Sequence, residues 1–311
     1  MEAGRRARRA ILALRAALLL LLISANAGPC AAAQQLRVAV ASPWLLEVAS
    51  FIGGKQASVR ALAVWNDAGV EVPSGRPRAG EIIIAFDAQE AATLKIASGN
   101  KKLRILYPKL PLGEEKRRAA FFDPAMLPFI AQETMKIIAG ADGKNYSYYQ
   151  RRLAEFQSRI DSAMGVGRHL LANAKMLDLT GAQGGWVRSS LPGVVRPPDE
   201  VWHGWLNGDA AALSAALDEA ERRGWLLLLD PWTPQTIRYA AIAHANRLTL
   251  AAPQNGMDYF VFLQDIFTQI EKRLKAPAQS APKGKNKRAE SGKCLNIYRG
   301  IAPNHVEYPY L

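Results

Sequence analysis

Short apolar runs alternate with helical patterns along the body of the chain. Leu36–Ala41 is an apolar run suited to a buried parallel strand, and Ser42 followed by Pro43 is a typical helix start. The segment 69–80 is rich in glycine and proline and predicts no helix. Three more apolar runs, at 59–64, 81–86 and 103–107, predict strands. The segment 87–98 predicts a helix between the last two of them. The alternation predicts a first βα lobe with a parallel sheet.

Helical patterns occupy the middle of the chain, at 126–138 and from Asp142 to about residue 164. In the second of them one apolar stripe recurs at three- and four-residue spacing, formed by Tyr149, Leu153, Phe156 and Ile160. Strands and helices then alternate again, with strands predicted at 176–180, 225–229 and 248–251 and helices at 209–223, 233–246 and 258–274. We therefore predict an α/β fold of two βα lobes with parallel sheets, joined by a long spine helix, with an interlobe cleft at the carboxyl ends of the strands.

The two ends of the chain differ from this body. Arginines flank an apolar run at 17–23 that precedes small residues, which predicts a cleavable signal peptide over residues 1–33 and a periplasmic location. Residues 276–311 are rich in proline, lysine and glycine and predict a basic flexible tail. The domains predicted between them are the N-terminal βα lobe (34–124), a helical linker with the spine helix (125–168) and the C-terminal βα lobe (169–275).

The formal net charge of +13 lies mostly at these ends. Residues 1–33 carry +4 and residues 275–311 carry +5, which leaves +4 for the body. A mild excess spread over a body of this size indicates a solvated surface, so we expect no nucleic-acid partner. The apolar run at 17–23 is too short to span a bilayer, and we expect the mature protein to be peripheral to the membrane. Cys30 and Cys294, both peripheral, exclude a thiolate metal centre.

Several short motifs resemble those of the periplasmic zinc- and manganese-binding receptors of metal ABC importers. The Phe-Phe-Asp-Pro of 121–124 is similar to the family's aromatic-x-Asp-Pro before the first central helix, and 142–151 is similar to the start of the spine helix. Asp230-Pro231-x-x-Pro234 follows an apolar strand, and Ala252-Pro253 precedes the last helix. The resemblance covers nearly all of 36–274 and implies a solute-binding protein that serves an ABC permease.

The resemblance also implies where metal ligands would stand. The family binds its ion with three histidines, or two histidines and a glutamate, plus a carboxylate. The matching positions in this chain carry Gly69 or Val70, Ala119, Thr180, Asp230 and Ala252. Only Asp230 is a ligand-type side chain, so we predict no metal ligands at the family site and no cofactor. Metal binding through another set, such as Asp67, Glu71 and Asp230 with a displaced histidine, stays open.

Aromatic side chains near the predicted cleft indicate another kind of ligand. Aromatic walls with a few polar groups suit a small organic solute or a metal chelate. The predicted ligand-binding residues are Trp65, Asp67, Phe121, Thr180, Gln183, Trp186, Asp230 and Trp232. The same aromatic residues would alternatively fill the cleft and hold the lobes shut. A chain of that kind would be a non-transport scaffold that acts through protein–protein contacts in the cell envelope.

Catalytic motifs are absent from the sequence. It has no Gly-x-Ser-x-Gly elbow and no paired-histidine motif, and Gly181, Gly184 and Gly185 lack the spacing of a dinucleotide-binding loop. The histidines are scattered, and the segment 202–205 (Trp-His-Gly-Trp) predicts a surface loop that contacts a transporter or partner. We therefore expect a binding protein rather than an enzyme.

Overall fold

The structure, a computed structural model, describes residues 35–66, 69–108 and 113–276. In chain order its strands and helices are β1 (Leu36–Val40), α1 (Pro43–Gly53), β2 (Ala57–Ala61), β3 (Ala63–Trp65), β4 (Glu71–Pro73), β5 (Ile82–Ala85), α2 (Ala88–Thr93), β6 (Leu103–Ile105), α3 (Glu114–Ala120), α4 (Leu127–Ala141), α5 (Tyr146–Leu170), β7 (Met176–Asp178), α6 (Gly184–Ser190), β8 (Val194–Val195), α7 (Asp199–Leu206), α8 (Ala210–Arg222), β9 (Leu226–Leu229), α9 (Gln235–Ala241), β10 (Arg247–Thr249) and α10 (Tyr259–Lys275). The fold is therefore α/β, as the alternation predicts.

Two four-stranded parallel sheets organise these elements. The first has the strand order β2-β1-β5-β6 and the second the order β10-β9-β7-β8. The strands β3 and β4 form a separate antiparallel pair. We call the parts of the chain around the first and second sheets the first and second lobes. The long helix α5 lies between them in the sequence, which confirms the predicted class of fold.

Alternate residues of the strands enter different cores. Val38 and Val40 of β1 belong to the same buried cluster as Leu226 and Leu228 of β9, together with side chains of α1, α4, α5 and α10. The opposite face of the second sheet forms a separate core, in which Leu227 and neighbouring strand residues contact α7, α8 and α9. Side chains of adjacent strand positions point to opposite faces, so a strand that is covered on both sides, such as Leu226–Leu229, is apolar at every position. The two lobes share one continuous core.

The helix starts follow from short polar side chains. The Ser42 side chain accepts the N–H of Leu45, with Pro43 at the first position of α1. The side chains of Asp87, Asp209 and Asp258 cap α2, α8 and α10 in the same way. A side-chain oxygen at the cap position satisfies an N–H that has no partner inside the helix. These four helix starts agree with the sequence prediction.

Other boundaries differ from the prediction. Asp142 is not the cap of the spine helix: its carboxylate accepts hydrogen bonds from Asn145 and Tyr149, and α5 begins at Tyr146 after a 3-10 turn. The single strand predicted at 59–64 is divided between β2 and β3. The helix predicted over 233–246 ends at Ala241, and its cap residue, Pro234, has no side-chain hydrogen bond.

The surface loop predicted at 202–205 is wrong. These residues belong to α7, and Trp202 and Trp205 are both buried against the outer face of the second sheet. Their spacing of three residues places them on one face of the helix. The two indole rings, 6.1 Å apart, are therefore part of a core.

Some predictions lie outside the described residues. They concern the signal peptide at 1–33, the tail beyond residue 276 and the ligand-binding role of Asp67. Across the described residues, none of the helices has the length and apolar character needed to cross a membrane.

Candidate functional site

Asp230 follows β9 and is completely buried. Its Oδ1 accepts the N–H groups of Gly181 at 2.9 Å and Trp232 at 3.0 Å, and its Oδ2 accepts those of Ala182 at 2.8 Å and Gln183 at 3.0 Å. Both oxygens of the carboxylate are thus used to hold the loop that follows β7. A carboxylate that accepts this many backbone hydrogen bonds is a structural anchor for its loop.

Asp178, at the end of β7, is a second buried carboxylate. Its Oδ1 accepts the N–H of Thr180 at 2.9 Å and the hydroxyl at 2.7 Å. Its Oδ2 pairs with the guanidinium of Arg188, and Arg196 lies 3.5 Å from the same oxygen. Burying a carboxylate is unfavourable unless it is paired and hydrogen-bonded, and these contacts meet both conditions. One buried negative charge therefore positions two partly exposed positive charges.

A pocket of about 560 Å³ lies between the lobes beside these arginines. We call it the interlobe pocket. One side is formed by α3 and the connection to α4, and the other by the β7–α6 loop, α6 and Arg196. Its polar and charged lining residues are Glu115, Lys116, Asp123, Thr180, Arg188, Ser189 and Arg196. Its volume lies within the range of small-molecule sites, about 300–1,000 Å³.

Next to this pocket, aromatic rings fill the space between the lobes. We call them the aromatic cluster, defined by Trp44, Trp65, Phe121, Phe122 and Trp232. Trp44 is its centre, with ring centroids 4.9 Å from Trp65, 5.7 Å from Phe121, 5.1 Å from Phe122 and 5.6 Å from Trp232. Trp44 occupies the first turn of α1, immediately beyond the carboxyl end of β1. The cluster occupies the part of the cleft where the first lobe faces Trp232 of the second.

Direct contacts join the lobes beside the aromatic cluster. The Asn255 side chain donates to the carbonyl of Trp65 at 2.8 Å and accepts its N–H at 3.1 Å. Gly69 has a φ of +71°, and a Cβ there would lie 3.0 Å from the Cβ of Ala252. The position favours glycine for both reasons. The lobes are therefore closed on each other along this line.

The residues predicted as ligand-binding fall into different surroundings. Thr180 lines the interlobe pocket. Trp65, Phe121 and Trp232 belong to the aromatic cluster. Trp186 lies in the core, where its Nε1 donates to the Leu263 carbonyl at 3.0 Å and its ring stacks on Phe267.

Gln183, also predicted as ligand-binding, is completely buried. Its Nε2 donates to the Ala251 carbonyl at 2.9 Å. Its Oε1 is buried without a hydrogen-bond partner.

The positions that the resemblance matches to metal ligands do lie along the interlobe contact. Gly69 contacts Ala252, and Ala119 and Thr180 line the interlobe pocket. Their side chains offer one hydroxyl and no imidazole. Within the described residues, one group of three metal-type ligands converges, and it lies in the second lobe: Asp218, Glu221 and His244. In that group His244 Nδ1 is 2.9 Å from Glu221 Oε2.

The sequence analysis missed Asp178, Arg188 and Arg196. The sequence does contain a signal for them, because Asp178 is a charged residue at the end of a short strand that is otherwise apolar. A carboxylate in such a position needs a buried partner, and arginine is the usual one. Which arginines supply the partner depends on the packing of α6 and β8, neither of which the hydrophobic pattern predicted.

A further buried acid lies at the carboxyl end of β5 in the first lobe. Glu90 is 5% exposed, and its Oε2 accepts the N–H of Phe86 at 2.6 Å. Burial is the main reason why the pKa of Glu90 is raised from 4.5 to about 7. The side chain is thus held in its neutral form in mildly acidic solution.

This pKa predicts the effect of Glu90→Gln. Between pH 4.5 and 7 the folded chain keeps a proton on Glu90 that the unfolded chain has lost, so wild-type stability is full below pH 4.5 and falls as pH rises. We expect the variant to match the wild type at pH 4.5 and to exceed it above pH 7 by on the order of 2–3 kcal/mol. Urea unfolding across this pH range measures the difference. If the free energy of unfolding changes with pH equally in both proteins, the prediction is wrong. Burial also raises the pKa of Glu47 to about 7, and this adds a pH dependence that both proteins share.

Comparisons with known proteins give matches at the level of structure. No protein-family model matches the sequence, and no curated protein matches it. A crystal structure of ZnuA superimposes with a TM-score of 0.56 at 17% identity, covering 77% of this chain and 99% of ZnuA. The manganese complex of the solute-binding protein FpvC from Pseudomonas aeruginosa gives 0.51 at 14% identity, covering 77% of this chain and 98% of FpvC.

A third solved structure agrees with these two. The cadmium-bound periplasmic metal-binding protein from Candidatus Liberibacter asiaticus superimposes with a TM-score of 0.55 at 12% identity, and the match covers 77% of this chain and all of that protein, 100%. Similarity at such low identity concerns the fold and leaves the site to be argued from this chain's own residues. The chain has the fold of the periplasmic metal-binding solute-binding proteins.

Proposed function

We propose that this protein is an extracytoplasmic solute-binding protein that holds a small organic solute or a metal chelate in the interlobe pocket and delivers it to an ABC permease. The observation that carries the proposal is the pocket itself. It is large enough for a small molecule, is lined by charged side chains of both lobes, and lies at the carboxyl end of β7. Ligands of open parallel sheets bind in such places.

A bare transition-metal ion fits this site poorly. Zinc and manganese receptors need several imidazole or carboxylate ligands that converge on one point. Gly69, Ala119 and Ala252 offer none, and Asp230 uses both oxygens on backbone N–H groups. The chemistry of the residues present therefore supports a solute that is bound by hydrogen bonds and charge.

Export is part of the proposal. The arginine-flanked apolar run before residue 33 predicts a cleavable signal peptide. The proteins of similar fold include one described as periplasmic. We propose that the mature chain works in the periplasm, at the surface of the membrane where a permease lies.

Metal analysis tests the preference against a bare ion. We expect the purified full chain to carry less than one equivalent of zinc or manganese, and calorimetric titration with either ion to show no stoichiometric tight binding at the lobe interface. The matched control is His244→Ala, because Asp218, Glu221 and His244 form a separate candidate group. Tight one-to-one binding that survives in His244→Ala would contradict the proposal.

The aromatic cluster favours a second candidate function. Trp44 and its four aromatic neighbours close part of the cleft, and Asn255 bonds the lobes together beside them. A chain that stays closed would be a non-transport scaffold that acts through protein–protein contacts in the envelope. A small-molecule screen by thermal shift separates the two. Stabilisation by a solute supports the receptor, whereas a folded chain that no solute stabilises supports the scaffold.

A further inference from the structure

We infer that the interlobe pocket takes a zwitterionic solute, a free amino acid or short peptide. Its carboxylate would lie against Arg188 and Arg196, and its ammonium group would lie toward Glu115 and Asp123. The inference rests on the proposed function, since it names the class of solute that the receptor holds. What supports it is the distribution of charge over the walls of the pocket.

Opposite charges are divided between the two walls. On the second lobe the pocket is lined by Arg188 and Arg196, whose shared buried partner is the single carboxylate of Asp178. This wall therefore carries one net positive charge. On the other wall, α3 and the connection to α4 contribute Glu115, Lys116 and Asp123, with one net negative charge. The pocket is a fixed dipole, and its ends lie on different lobes.

The arginine wall keeps donors for a ligand. A guanidinium has five N–H donors in a planar fork that matches a carboxylate. In the described contacts Arg188 uses Nη1 on Asp178, and Arg196 uses Nη1 on Asp178 and on the Thr180 carbonyl. The two side chains are 37% and 23% exposed, and both line the pocket. Arg196 is also held in place by Trp202, because its guanidinium carbon lies 4.1 Å from the centre of that ring.

The acidic wall has matching capacity for a cation. Asp123 uses Oδ1 to accept the N–H of Ala125 at 2.9 Å, which leaves Oδ2 outside the described hydrogen bonds. Glu115 is exposed on α3 and has no described ion pair. An ammonium group binds most strongly to carboxylate oxygens, and charged hydrogen bonds are about twice as strong as neutral ones.

The charges on the two walls of the pocket do not pair with each other. In residues 35–66, 69–108 and 113–276, no described ion pair joins the acidic wall to Arg188 or Arg196. The pocket of about 560 Å³ keeps them apart. A ligand with one charge would satisfy one wall and leave the other unmatched, whereas a zwitterion satisfies both. Charge complementarity of this kind decides which ligands are selected.

Thermal shift with the full chain identifies the solute. The probes are the twenty standard amino acids and L-alanyl-L-alanine, with glucose as a sugar and sulfate as a simple anion, tested one at a time. We expect at least one of the amino acids, or the dipeptide, to raise the melting temperature. Calorimetry then compares that amino acid or peptide with two relatives that share its side chains, the amine that lacks the carboxylate and the acid that lacks the ammonium group. We expect each relative to bind at least about tenfold more weakly, because each leaves one wall unmatched.

Three variants locate the binding. Glu115→Gln is expected to weaken binding about fivefold. Its control, Glu133→Gln, removes a partly exposed carboxylate of α4 that pairs with Lys136 and does not line the pocket, and it leaves binding unchanged. Ser189 is exposed in the pocket, so Ser189→Trp places a large ring beside Arg188 and is expected to block binding. All three positions are exposed enough for the chain to fold, which circular dichroism checks.

Each result decides the inference. A zwitterion that binds equally well to Ser189→Trp binds elsewhere and overturns it. If a sugar or a simple anion binds and Ser189→Trp blocks it, the proposed receptor function stands and the zwitterion inference falls. If no probe of any class binds to the folded chain, both fall and the scaffold is favoured.

Discussion

Replacing Asp230 by alanine is expected to lower the free energy of unfolding by about 4 kcal/mol. The carboxylate is completely buried and accepts the N–H groups of Gly181, Ala182, Gln183 and Trp232. Its removal leaves these donors without their acceptor, and those of Ala182 and Gln183 are buried. An unmet buried donor costs about 1–3 kcal/mol, and the costs add incompletely because the loop can relax.

Urea unfolding of three variants separates this cause from general damage. Asp161→Ala removes an exposed carboxylate from α5 and is expected to change stability by no more than about 0.5 kcal/mol. Asp230→Asn keeps one acceptor oxygen but turns an amide NH₂ toward other donors, so its loss should be intermediate. A loss of less than about 1 kcal/mol in Asp230→Ala would show that the loop does not depend on this carboxylate.

The same contacts explain why Asp230 is a weak candidate for a ligand group. From the sequence it is the one residue at the matched metal positions with a ligand-type side chain. Its partners are backbone groups of 181–183, and they come from the loop after a different strand. A residue pattern gives no information about which N–H groups face a carboxylate across a sheet. The role of Asp230 therefore depends on tertiary structure.

The sheets were predictable for a simple physical reason. Strands buried on both faces are continuous apolar runs, such as Leu226–Leu229, and such runs stand out from the helices between them. The helix starts at Ser42, Asp87, Asp209 and Asp258 were also predictable, since short polar side chains are favoured before the first turn of a helix.

The region 181–206 was not predictable in the same way. It contains two short helices and a strand of two residues, β8, and these lengths give too few positions for a period to emerge. Trp202 and Trp205 suggested a surface loop because a histidine and a glycine lie between them. The helix that buries both rings is stabilised by its contact with the second sheet, and packing of this kind overrides local propensity.

The interlobe pocket likewise contains one residue that the sequence predicted and others that it did not. Thr180 was predicted to face a ligand because it follows a strand, and it does line the interlobe pocket. Arg188 and Arg196 come to the pocket from α6 and from the segment after β8, through their pairing with Asp178. Their charge was visible in the sequence, but their convergence depends on one buried acid. Sites built by long-range ion pairs are therefore harder to predict than strand ends.

The aromatic cluster determines how firmly the lobes are held together. Its members come from both lobes, and Trp44, which is 1% exposed, contacts all the others. Moving the lobes apart would break these contacts together with the hydrogen bonds of Asn255.

Trp44→Ala is expected to lower the free energy of unfolding by about 4 kcal/mol, within the range for removing a large buried aromatic side chain. The substitution deletes four ring contacts and the hydrogen bond from Nε1 to Glu71 Oε1 at 2.9 Å. It also leaves a cavity between the lobes, which the surrounding rings fill only in part. Urea unfolding measures the loss, and Phe129→Ala, at a side chain 58% exposed on α4, is the control with little expected change.

Hydrogen exchange of the same variant tests whether the cluster holds the lobes shut. If it does, the amide of Trp65, which donates to Asn255, should exchange faster in Trp44→Ala, while the amides of β9 at the centre of the second sheet keep their protection. Trp44→Phe retains a ring and should restore most of the protection at Trp65. Uniform loss of protection across both sheets would contradict a local role, because it would mean that the shared core, and not the lobe contact, depends on Trp44.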